Sequence, residues 1–334
     1  MESSPAPPAR TFHQRFTIQG RVATRRLDQY LAAALADYSR TFLQRLIREG
    51  RVTVNGAPSE ASYRIRRGDR IEVTIELPSG PSVPPEDIPL DILYEDDQLL
   101  VINKPPDMVV HPAKGHQSGT LVNALVGHTQ TLSSAYGELR AGIVHRLDRD
   151  TSGAIVAAKT DAAHSALAAQ FEARTVEKHY IAVVEGEPQL DSDLIDAALG
   201  RHRKNPEKMA VQREGGKPAQ SIYRVVRRFR GFTELDVELL TGRTHQIRVH
   251  LAHIGHPVVA DDLYGPRAAL YRSDLLGVKP PEDEPPLIER QALHARRIAF
   301  NHPATGQRLE FTAPIPEDLA RLLAALAELR PMPS

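Results

Sequence analysis

Cysteine is absent from this chain of 334 residues, and so are long hydrophobic runs. Without cysteine the protein can form no disulfide, no thiolate nucleophile and no cysteine-ligated zinc or iron–sulfur site, and a reducing compartment such as the cytoplasm is the simplest expectation. The longest apolar runs, residues 31–36 and 322–327, have six residues each, whereas a membrane-spanning helix needs about 18. We therefore expect no membrane association.

Lysine is scarce as well, with 8 Lys against 34 Arg, although the formal net charge is zero. That balance conceals three charged segments: residues 10–70 have a net charge of +8, residues 81–110 of −6 and residues 201–230 of +8. Arg forms paired contacts with phosphates and stacks on bases. Each basic segment is therefore either a solvated surface or a phosphate-binding one, and a net charge of zero does not exclude a nucleic-acid partner.

The composition, with 41% hydrophobic and 25% charged residues, is typical of a folded protein long enough for two domains. Residues 1–14 are expected to form a disordered leader, because they begin with a Pro/Ala/Ser-rich stretch that has no apolar segment of a secretory signal. Five Pro between residues 78 and 90 predict a stiff linker. The linker would separate a small domain over 15–77 from a larger one over 91–327.

The small domain is predicted to be a helix–helix–strand–strand unit. Apolar spacing predicts one helix over residues 27–37 and a second that begins at Ser39 and ends at Gly50. Two short alternating strands follow, the first running into an Asn55-Gly56 turn. Arg side chains of the second helix lie away from its apolar stripe. They predict one basic face, formed by Arg40, Arg45, Arg48 and Arg51.

Beyond residue 90, strand-like runs outnumber helical runs and do not alternate strictly with them. The strand-like runs include LLVIN, AIVAAK, HYIAVVEG, SIYRVVRRF and TELDVEL. The helical runs are LVNALV, DAAHSALAAQFEA and EDLARLLAALAEL. This mixture predicts an α+β domain with a mixed, largely antiparallel β-sheet flanked by helices and loops, and not a doubly wound parallel fold.

The densest group of charged residues is GIVHRLDRDTSGAIVAAK at 142–159, between two apolar runs. Asp148 lies within two residues of both Arg146 and Arg149, which should favour its ionised form. Such a carboxylate can act as a nucleophile or stabilise a cationic sugar centre. The residues alone leave a second interpretation equally open, namely a structural turn in which the Arg side chains simply pair with the acids.

Five ordered motifs resemble those of the RluA-type pseudouridine synthases. H-R-L-D-x-D-T-S-G at 145–153 is similar to the catalytic motif of that family, in which the Asp is essential, here Asp148. N-K-P-P-D at 103–107 resembles the N-K-P-x-G segment, with Asp107 where Gly is usual. The others are E-K-H-Y-I-A-V at 177–183, T-G-R-T-H-Q-I-R-V-H at 241–250, and L-H-A with F-N-H-P-A-T-G-Q between 293 and 307.

The small domain resembles the RNA-binding unit named for ribosomal protein S4. R-L-D-x-x-L begins at Arg26, and S-R-x-x-x-x-x-L-I-x-x-G-x-V-x-V-N-G begins at Ser39. This motif by itself indicates binding to structured RNA and no particular chemistry. Together with the five motifs of the larger domain, the resemblance extends from about residue 15 to about residue 320.

The resemblance implies that the protein converts uridine to pseudouridine in RNA, with no cofactor and no metal. The N1–C1′ bond breaks and the uracil rejoins the ribose through C5. Asp148 is implied as the carboxylate, which either adds at C1′ or removes a proton at C2′. Tyr180 is implied as the ring that holds the free uracil, and whether it also takes the C5 proton stays open. The third motif implies that Arg248, and not Arg243, pairs with Asp148.

RNA contacts are expected around this site and on the small domain. The target base must be flipped out of its stack, and Arg146 is placed to fill the vacated position. The other expected contacts are His145, Arg149, Arg243, His245, Gln246, Arg40, Arg45, Arg48 and Arg51. Because the S4-like unit and the motif spacing are most similar to members that modify large-subunit (23S) ribosomal RNA, that RNA is the expected partner, on assembling or mature subunits, and we expect a monomer.

Two other functions stay open on the sequence. His250, His253 and His256 recur every three residues and could form a metal-dependent hydrolase site with Asp261 or Asp262. On one continuous helix, however, the three would spread too widely around the axis for a single ion. The second alternative is a non-catalytic protein that binds structured RNA, although binding alone does not require the three implied catalytic residues.

Overall fold

The computed structural model describes residues 10–18, 25–35, 40–77, 83–112, 118–129, 131–133, 141–205 and 207–333. Within those ranges, no helix is long and apolar enough to cross a membrane. Residues 1–9 of the expected leader, residues 78–82 of the expected linker and Ser39 lie outside the described residues.

The described residues of the small domain form two helices and four strands. In chain order they are β1 Arg10–Thr17, α1 Leu27–Ala34, α2 Arg40–Arg48, β2 Val52–Val54, β3 Ala57–Pro58 and β4 Arg70–Leu77. The strands make one antiparallel sheet in the order β1-β4-β2-β3. Alternate residues of β4, namely Ile71, Val73 and Ile75, are buried against apolar side chains of the helices such as Leu31 and Leu43.

The predicted helices and hairpin of the small domain are confirmed, with one shift and one omission. The first helix ends at Ala34, three residues earlier than predicted. Asn55 and Gly56 both have positive φ, as a two-residue hairpin turn requires. Strand β1 was not predicted, and the leader prediction is wrong for residues 10–14, because they pair with β4. The Pro/Ala/Ser-rich composition that suggested a leader stops before this strand begins.

Asp28 is a buried acid that joins the two helices of the small domain. Its side chain is fully buried and accepts hydrogen bonds from Arg26, Arg40 and Gln44. Burial works against ionisation of Asp28, but these hydrogen bonds outweigh it and hold the pKa well below the usual range. Arg40 is therefore engaged within the domain, although half of its side chain is exposed.

The large domain contains eleven strands and five helices among the described residues. In chain order they are β5 Ile92–Glu95, β6 Leu99–Lys104, α3 Leu121–His128, β7 Ser152–Ala158, α4 Asp161–Ala173, β8 Glu177–Glu185, β9 Ser192–Asp196, β10 Leu199–Arg201, β11 Met209–Val211, β12 Gln220–Phe229, β13 Phe232–Leu239, α5 Gln246–His253, α6 Arg272–Leu276, β14 Leu293–Asn301, β15 Arg308–Thr312 and α7 Glu317–Leu329.

Nine of these strands make one sheet, in the order β5-β6-β7-β14-β8-β13-β12-β9 with β15 paired to β14, while β10 and β11 form a separate hairpin. Within the described sheet every pairing is antiparallel except that of β7 with β14. The predicted α+β class with a mixed, largely antiparallel sheet is confirmed, as are the three helical runs, which become α3, α4 and α7.

Both faces of the central strands are covered. All seven residues of β7 are buried. Alternate residues of the strand belong to different clusters: Ile155 packs in the main core with α3 and α7, and Val156 packs in a second cluster with α4. Because side chains alternate across a strand, covering both faces demands a continuous apolar run, which AIVAAK supplies.

The linker prediction is wrong for residues 83–90, which pack on the large domain. Val83 is buried in its core. The backbone N–H of Glu86 donates to the carbonyl of Asn123 at 3.1 Å, and its carboxylate accepts from Gly119. The chain lies so close to α3 that a Cβ at Gly127 would overlap the carbonyl of Glu86. Proline removes backbone donors, but it does not prevent an extended segment from packing.

Replacing Asp28 by Asn is expected to lower the free energy of unfolding of the small domain by about 1–3 kcal/mol at neutral pH, because two guanidinium groups lose their charged acceptor. Since the pKa of Asp28 is lower in the folded chain than in the unfolded one, its contribution is complete above about pH 4 and is lost as the pH falls further. Urea unfolding followed by the methyl NMR signals of Ile71 and Ile75 measures the difference. Wild type and variant should converge in acid, and an undiminished difference there would contradict the assignment.

Candidate active site

Asp148 lies in a loop of residues 144–151 that leads into β7, called the Asp148 loop below. Its side chain is 17% exposed. The loop is fixed where β7 meets β14. There Gly153 has a φ of 115°, and a Cβ at this position would overlap the carbonyl of Ala295. Glycine is therefore required at this point, because it alone permits both the backbone conformation and the close approach of the two strands.

Arg248 is the cation that contacts Asp148. It comes from α5, which follows a loop of residues 240–245, and its side chain is only 5% exposed. Nε and Nη2 donate to the buried carboxylate of Asp261 at 2.6 and 2.7 Å, and Nη1 lies 3.4 Å from Oδ2 of Asp148. Burial alone would lower the pKa of Arg248, but the two carboxylates outweigh it and raise the pKa, so the guanidinium stays charged.

The Arg residues nearest to Asp148 in sequence do not pair with it. Arg149 directs its guanidinium to Asp150, at 3.0 Å, and lies 3.6 Å from Asp107. Arg146 is exposed and lines the cavity. Arg243, the alternative to Arg248, donates instead to the carbonyl of Pro218. The sequence suggested that neighbouring Arg side chains keep Asp148 ionised. In the structure the cation beside Asp148 is instead Arg248, which is 100 residues away in the chain.

Asp107 has a φ of 56°, a left-handed conformation. This is the position at which the resembling motif usually has Gly. Asp adopts such a conformation more readily than most residues, so Asp107 can occupy this left-handed position in place of Gly.

Tyr180 and Asp148 line the same cavity, which has a volume of about 430 Å³. This volume lies within the range of roughly 300–1,000 Å³ found for small-ligand pockets. Tyr180 comes from β8 and is 7% exposed, and its hydroxyl has no hydrogen-bond partner among the described residues. Burial, and then the charge of Asp148, raise the pKa of Tyr180. The phenol is therefore protonated at neutral pH.

His245 lies at the cavity as well, in contact with both Asp148 and Tyr264. Nε2 lies 3.9 Å from Oδ1 of Asp148, and Nδ1 lies 2.9 Å from the hydroxyl of Tyr264. Burial is the main reason that the pKa of His245 is lowered, so the ring is neutral at physiological pH. The backbone of His245 has a φ of 54°, which is uncommon for a residue with a side chain.

Gln246 is not available to RNA, in contrast to its prediction as a contact. Its side chain is buried, and both ends of the amide are used. Oε1 accepts from the Thr241 hydroxyl and the Arg243 backbone, and Nε2 donates to the carbonyl of Gln220 and the hydroxyl of Ser221. Gln246 thereby fixes the turn that precedes α5.

His145 packs beneath the loop, so its expected role as an RNA contact is not supported by its surroundings. Its ring is stacked on Phe171 with centroids 4.7 Å apart, and Nε2 accepts from the backbone N–H of Val156 at 3.0 Å. Burial lowers the pKa of His145 to about 3. The residue is a neutral packing histidine at physiological pH.

Lys104 and Arg290 hold the Asp148 loop from two sides, and no role was predicted for either. Nζ of the fully buried Lys104 donates to the carbonyls of Pro105, Met108 and Arg149 at 2.7 to 3.0 Å. Burial lowers the pKa of Lys104 to about 7. The three carbonyl acceptors nevertheless favour the charged ammonium, which has three N–H groups, over the neutral amine, which has only two.

Arg290 connects the loop to the C-terminal helix. Nη1 donates to the carbonyl of Asp150 at 2.9 Å, while Nε and Nη2 bind the carboxylate of Asp318 at 2.6 and 2.8 Å. The sequence signal was the acid in the first turn of α7, but nothing in the sequence indicated which cation it would meet.

The predicted basic face consists of Arg side chains on α2 and of Arg51, which follows the helix. Arg45 and Arg48 are exposed; Arg45 lies 3.7 Å from Glu49, and Nε of Arg48 donates to the carbonyl of Gln44. Arg51 is also exposed. Arg40 is exposed as well, but its guanidinium is bound to the buried Asp28.

Two of the three histidines of the metal hypothesis, His250 and His256, are bound by the protein itself, and His253 is exposed. Both ring nitrogens of the buried His250 have partners, the hydroxyl of Ser221 and the carbonyl of Ala197, and Nδ1 of His256 contacts the carbonyl of Glu185. Asp261 is occupied by Arg248. Over the described ranges, no group of three or more acidic or His side chains is placed to hold a metal ion.

Comparison with known proteins identifies the family. A family model for RNA pseudouridylate synthases matches residues 98–253, and one for the S4 domain matches residues 25–71. The uncharacterized RNA pseudouridine synthase YlyB of Bacillus subtilis (strain 168) is 46% identical over 301 residues, 90% of this chain and 94% of that protein. The ribosomal large subunit pseudouridine synthase D of Pseudomonas aeruginosa is 44% identical over 311 residues, 91% of this chain and 93% of that one.

A solved structure shows the same relationship. The human RNA pseudouridylate synthase domain containing 1 is 26% identical with a TM-score of 0.52, over 75% of this chain and 99% of that chain. The resemblance predicted from the five motifs and from the S4-like unit is thus confirmed. The chain belongs to the RNA pseudouridine synthase family and carries an N-terminal S4 domain.

Proposed function

We propose that this enzyme isomerises specific uridines in a loop of large-subunit ribosomal RNA, with the carboxylate of Asp148 acting at the ribose. The observation that carries the assignment is the pairing of Asp148 with the buried Arg248 at the edge of a cavity that Tyr180 also lines. A carboxylate with a fixed cation on one oxygen is oriented before the substrate arrives, which lowers the reorganisation needed for reaction.

The reaction balances without a cofactor. The N1–C1′ bond of the uridine breaks, C5 forms the new bond to C1′, the hydrogen on C5 leaves as a proton, and N1 gains a proton. Asp148 can either add at C1′ or remove the C2′ proton, and both steps require an ionised carboxylate. The detached uracil must be held within the cavity while it turns, because it would otherwise be lost to solvent.

Tyr180 is proposed as the residue that holds the uracil. An aromatic ring offers a stacking surface to a base in either orientation. The raised pKa of Tyr180 argues that the phenol takes part as a neutral group, stacking on the base and donating a hydrogen bond. A role as base toward the C5 proton would require the phenolate, which burial disfavours.

The choice of ribosomal RNA rests on the S4 domain and on the relatives. The Pseudomonas relative is named for the large ribosomal subunit, and its alignment covers 91% of this chain. A loop is the favoured context, because extrusion of the base costs least where it is unpaired. We propose Arg45, Arg48 and Arg51 as phosphate contacts of the S4 domain. Action on ribosomal subunits in the cytoplasm and a monomeric state stay predictions.

The basic residues of the second basic segment include two groups with different surroundings. Those on strand β12 are neutralised: Arg224 binds Glu238, Arg227 binds Glu234 and Arg228 binds Asp191. Those of the β10–β11 hairpin are exposed and pair with no carboxylate among the described residues. They are Arg201, Arg203 and Lys204. We therefore assign RNA contact to the hairpin and not to the strand.

Asp148→Asn should abolish catalysis, because the amide retains the shape of the carboxylate but not its charge. Tritium release from RNA containing 5-tritiated uridine should fall by roughly a thousandfold or more. The matched control is Asp262→Asn, because Asp262 also lies near Arg248, at 3.6 Å, but is 64% exposed. The control should retain activity within about threefold. An active Asp148→Asn protein would refute the assignment, and an inactive wild type would favour a protein that only binds RNA.

The hairpin assignment is tested by two double variants with the same change in charge. Changing Arg203 and Lys204 to Gln should weaken binding to a structured ribosomal RNA fragment and reduce the slope of log K against log salt by about 1.5, since each lost phosphate contact removes about 0.7–0.9. Changing Arg224 and Arg227 to Gln should leave the slope unchanged, because these charges are already paired. Equal slopes for the two variants would contradict the assignment.

A further inference from the structure

A series of polar contacts leads from the basic hairpin to Asp148. The backbone N–H of Met209, in β11, donates to the hydroxyl oxygen of Tyr264 at 2.8 Å. That hydroxyl lies 2.9 Å from Nδ1 of His245, and Nε2 of the same ring lies 3.9 Å from Oδ1 of Asp148. Each step joins a different part of the fold, from β11 to the segment after α5 and then to the loops at 240–245 and 144–151.

The direction of the hydrogen bonds follows from the donors and acceptors. A backbone N–H can only donate, so the Tyr264 oxygen accepts from Met209. The hydroxyl hydrogen must then find an acceptor, and Nδ1 of His245 is the one within reach among the described residues. Nδ1 therefore carries no hydrogen and accepts from the Tyr264 hydroxyl, and the proton of the neutral imidazole lies on Nε2. In the opposite tautomer, the lone pair of Nε2 would face the carboxylate of Asp148.

We propose that Tyr264 is a positioning residue for pseudouridine formation: it fixes His245 in the tautomer with hydrogen on Nε2 and so directs a neutral donor toward Asp148. This inference rests on the proposed function of Asp148. The two oxygens of that carboxylate then have different neighbours, the charged Arg248 at Oδ2 and the neutral His245 at Oδ1. Asp148 thus has one cation at Oδ2 and a neutral N–H facing Oδ1, with no second positive charge. The other end of the series is the hairpin to which RNA contact is assigned.

Asp261 fixes the positions of both Arg248 and Tyr264. Besides binding Arg248, its Oδ1 accepts from the backbone N–H groups of Leu263 and Tyr264, each at 3.0 Å. The guanidinium of Arg248 lies 5.2 Å from the centre of the Tyr264 ring. The ring of Tyr264 is therefore fixed by the same buried acid that fixes Arg248, and its hydroxyl is left to act on His245.

The first test is Tyr264→Phe, which keeps the ring against Arg248 and removes only the hydroxyl. With 5-tritiated RNA, kcat should fall about two- to tenfold, the effect of a single hydrogen bond, while KM stays unchanged. Tyr94→Phe is the matched control, because it also loses a hydroxyl contact to an acid, Asp96, and lies on β5. Wild-type kcat in Tyr264→Phe, or an effect on KM alone, would overturn the proposal.

His245 supplies a second test through two substitutions. In His245→Gln the amide nitrogen can take the place of Nε2 beside Asp148, whereas in His245→Asn it can reach only the place of Nδ1. Asn is better suited to the positive φ at this position, so a purely structural role predicts that Asn is the milder change. The proposal predicts the reverse order in kcat and no further loss when Tyr264→Phe is added to His245→Gln. The order expected from backbone preference, or independent losses, would contradict it.

The tautomer itself can be measured without catalysis. Long-range ¹H–¹⁵N NMR spectra of the full chain, with the His245 signals assigned by comparison with His245→Gln, should show the proton on Nε2. A proton on Nδ1 would overturn the inference whatever the activity. An inactive wild type would instead overturn the proposed function, so the two failures can be told apart.

Discussion

The large domain depends on one buried cation between two acids. Arg248 is almost completely buried, and removing a guanidinium from water costs several kcal/mol unless its partners compensate. Asp261 supplies that compensation with two short hydrogen bonds, which leaves one side of the guanidinium directed at Asp148. A buried pair of this kind contributes little to stability compared with an apolar packing. Its contribution here is geometric: it fixes where the reactive carboxylate lies.

The backbone of the Asp148 loop is restrained as well. Lys104 binds the loop through the carbonyl of Arg149, Arg290 binds it through the carbonyl of Asp150, and Gly153 lets β7 approach β14 directly after it. These contacts come from β6, from the segment before β14 and from β7 itself. A loop restrained by three separate segments of the domain can hold a side chain in a fixed position, as preorganised catalysis requires.

Much of the fold could be predicted from the sequence because its signals are local. Helical spacing gave α2, α4 and α7, and the Asn55-Gly56 turn and the apolar run of β7 were equally clear. The two predictions that rested on composition alone, the leader and the linker, were wrong in part. Residues 10–14 form a strand and residues 83–90 pack on α3, since neither a Pro-rich neighbour nor Pro itself prevents pairing or packing.

The site could be predicted less completely, because its contacts join distant parts of the chain. The motifs indicated Asp148, Tyr180 and Arg248, and the fold brings all three to one cavity. The local charges, in contrast, suggested Arg146 and Arg149 as partners of Asp148, and the third motif suggested Gln246 as an RNA contact. Arg149 instead binds neighbouring acids and Gln246 is buried, since side-chain direction depends on the tertiary fold and not on separation in sequence. Tyr264 gave no signal, and Arg290 gave only an indirect one, its partner acid in the first turn of α7.

The most direct test of this account is a map of pseudouridines in the ribosomal RNA of cells that lack this chain and are supplied with either the wild type or Asp148→Asn. The account predicts that particular pseudouridines in the large-subunit RNA disappear when the chain is absent, return with the wild type and do not return with the variant. Sites that persist without the chain, or that Asp148→Asn restores, would contradict it.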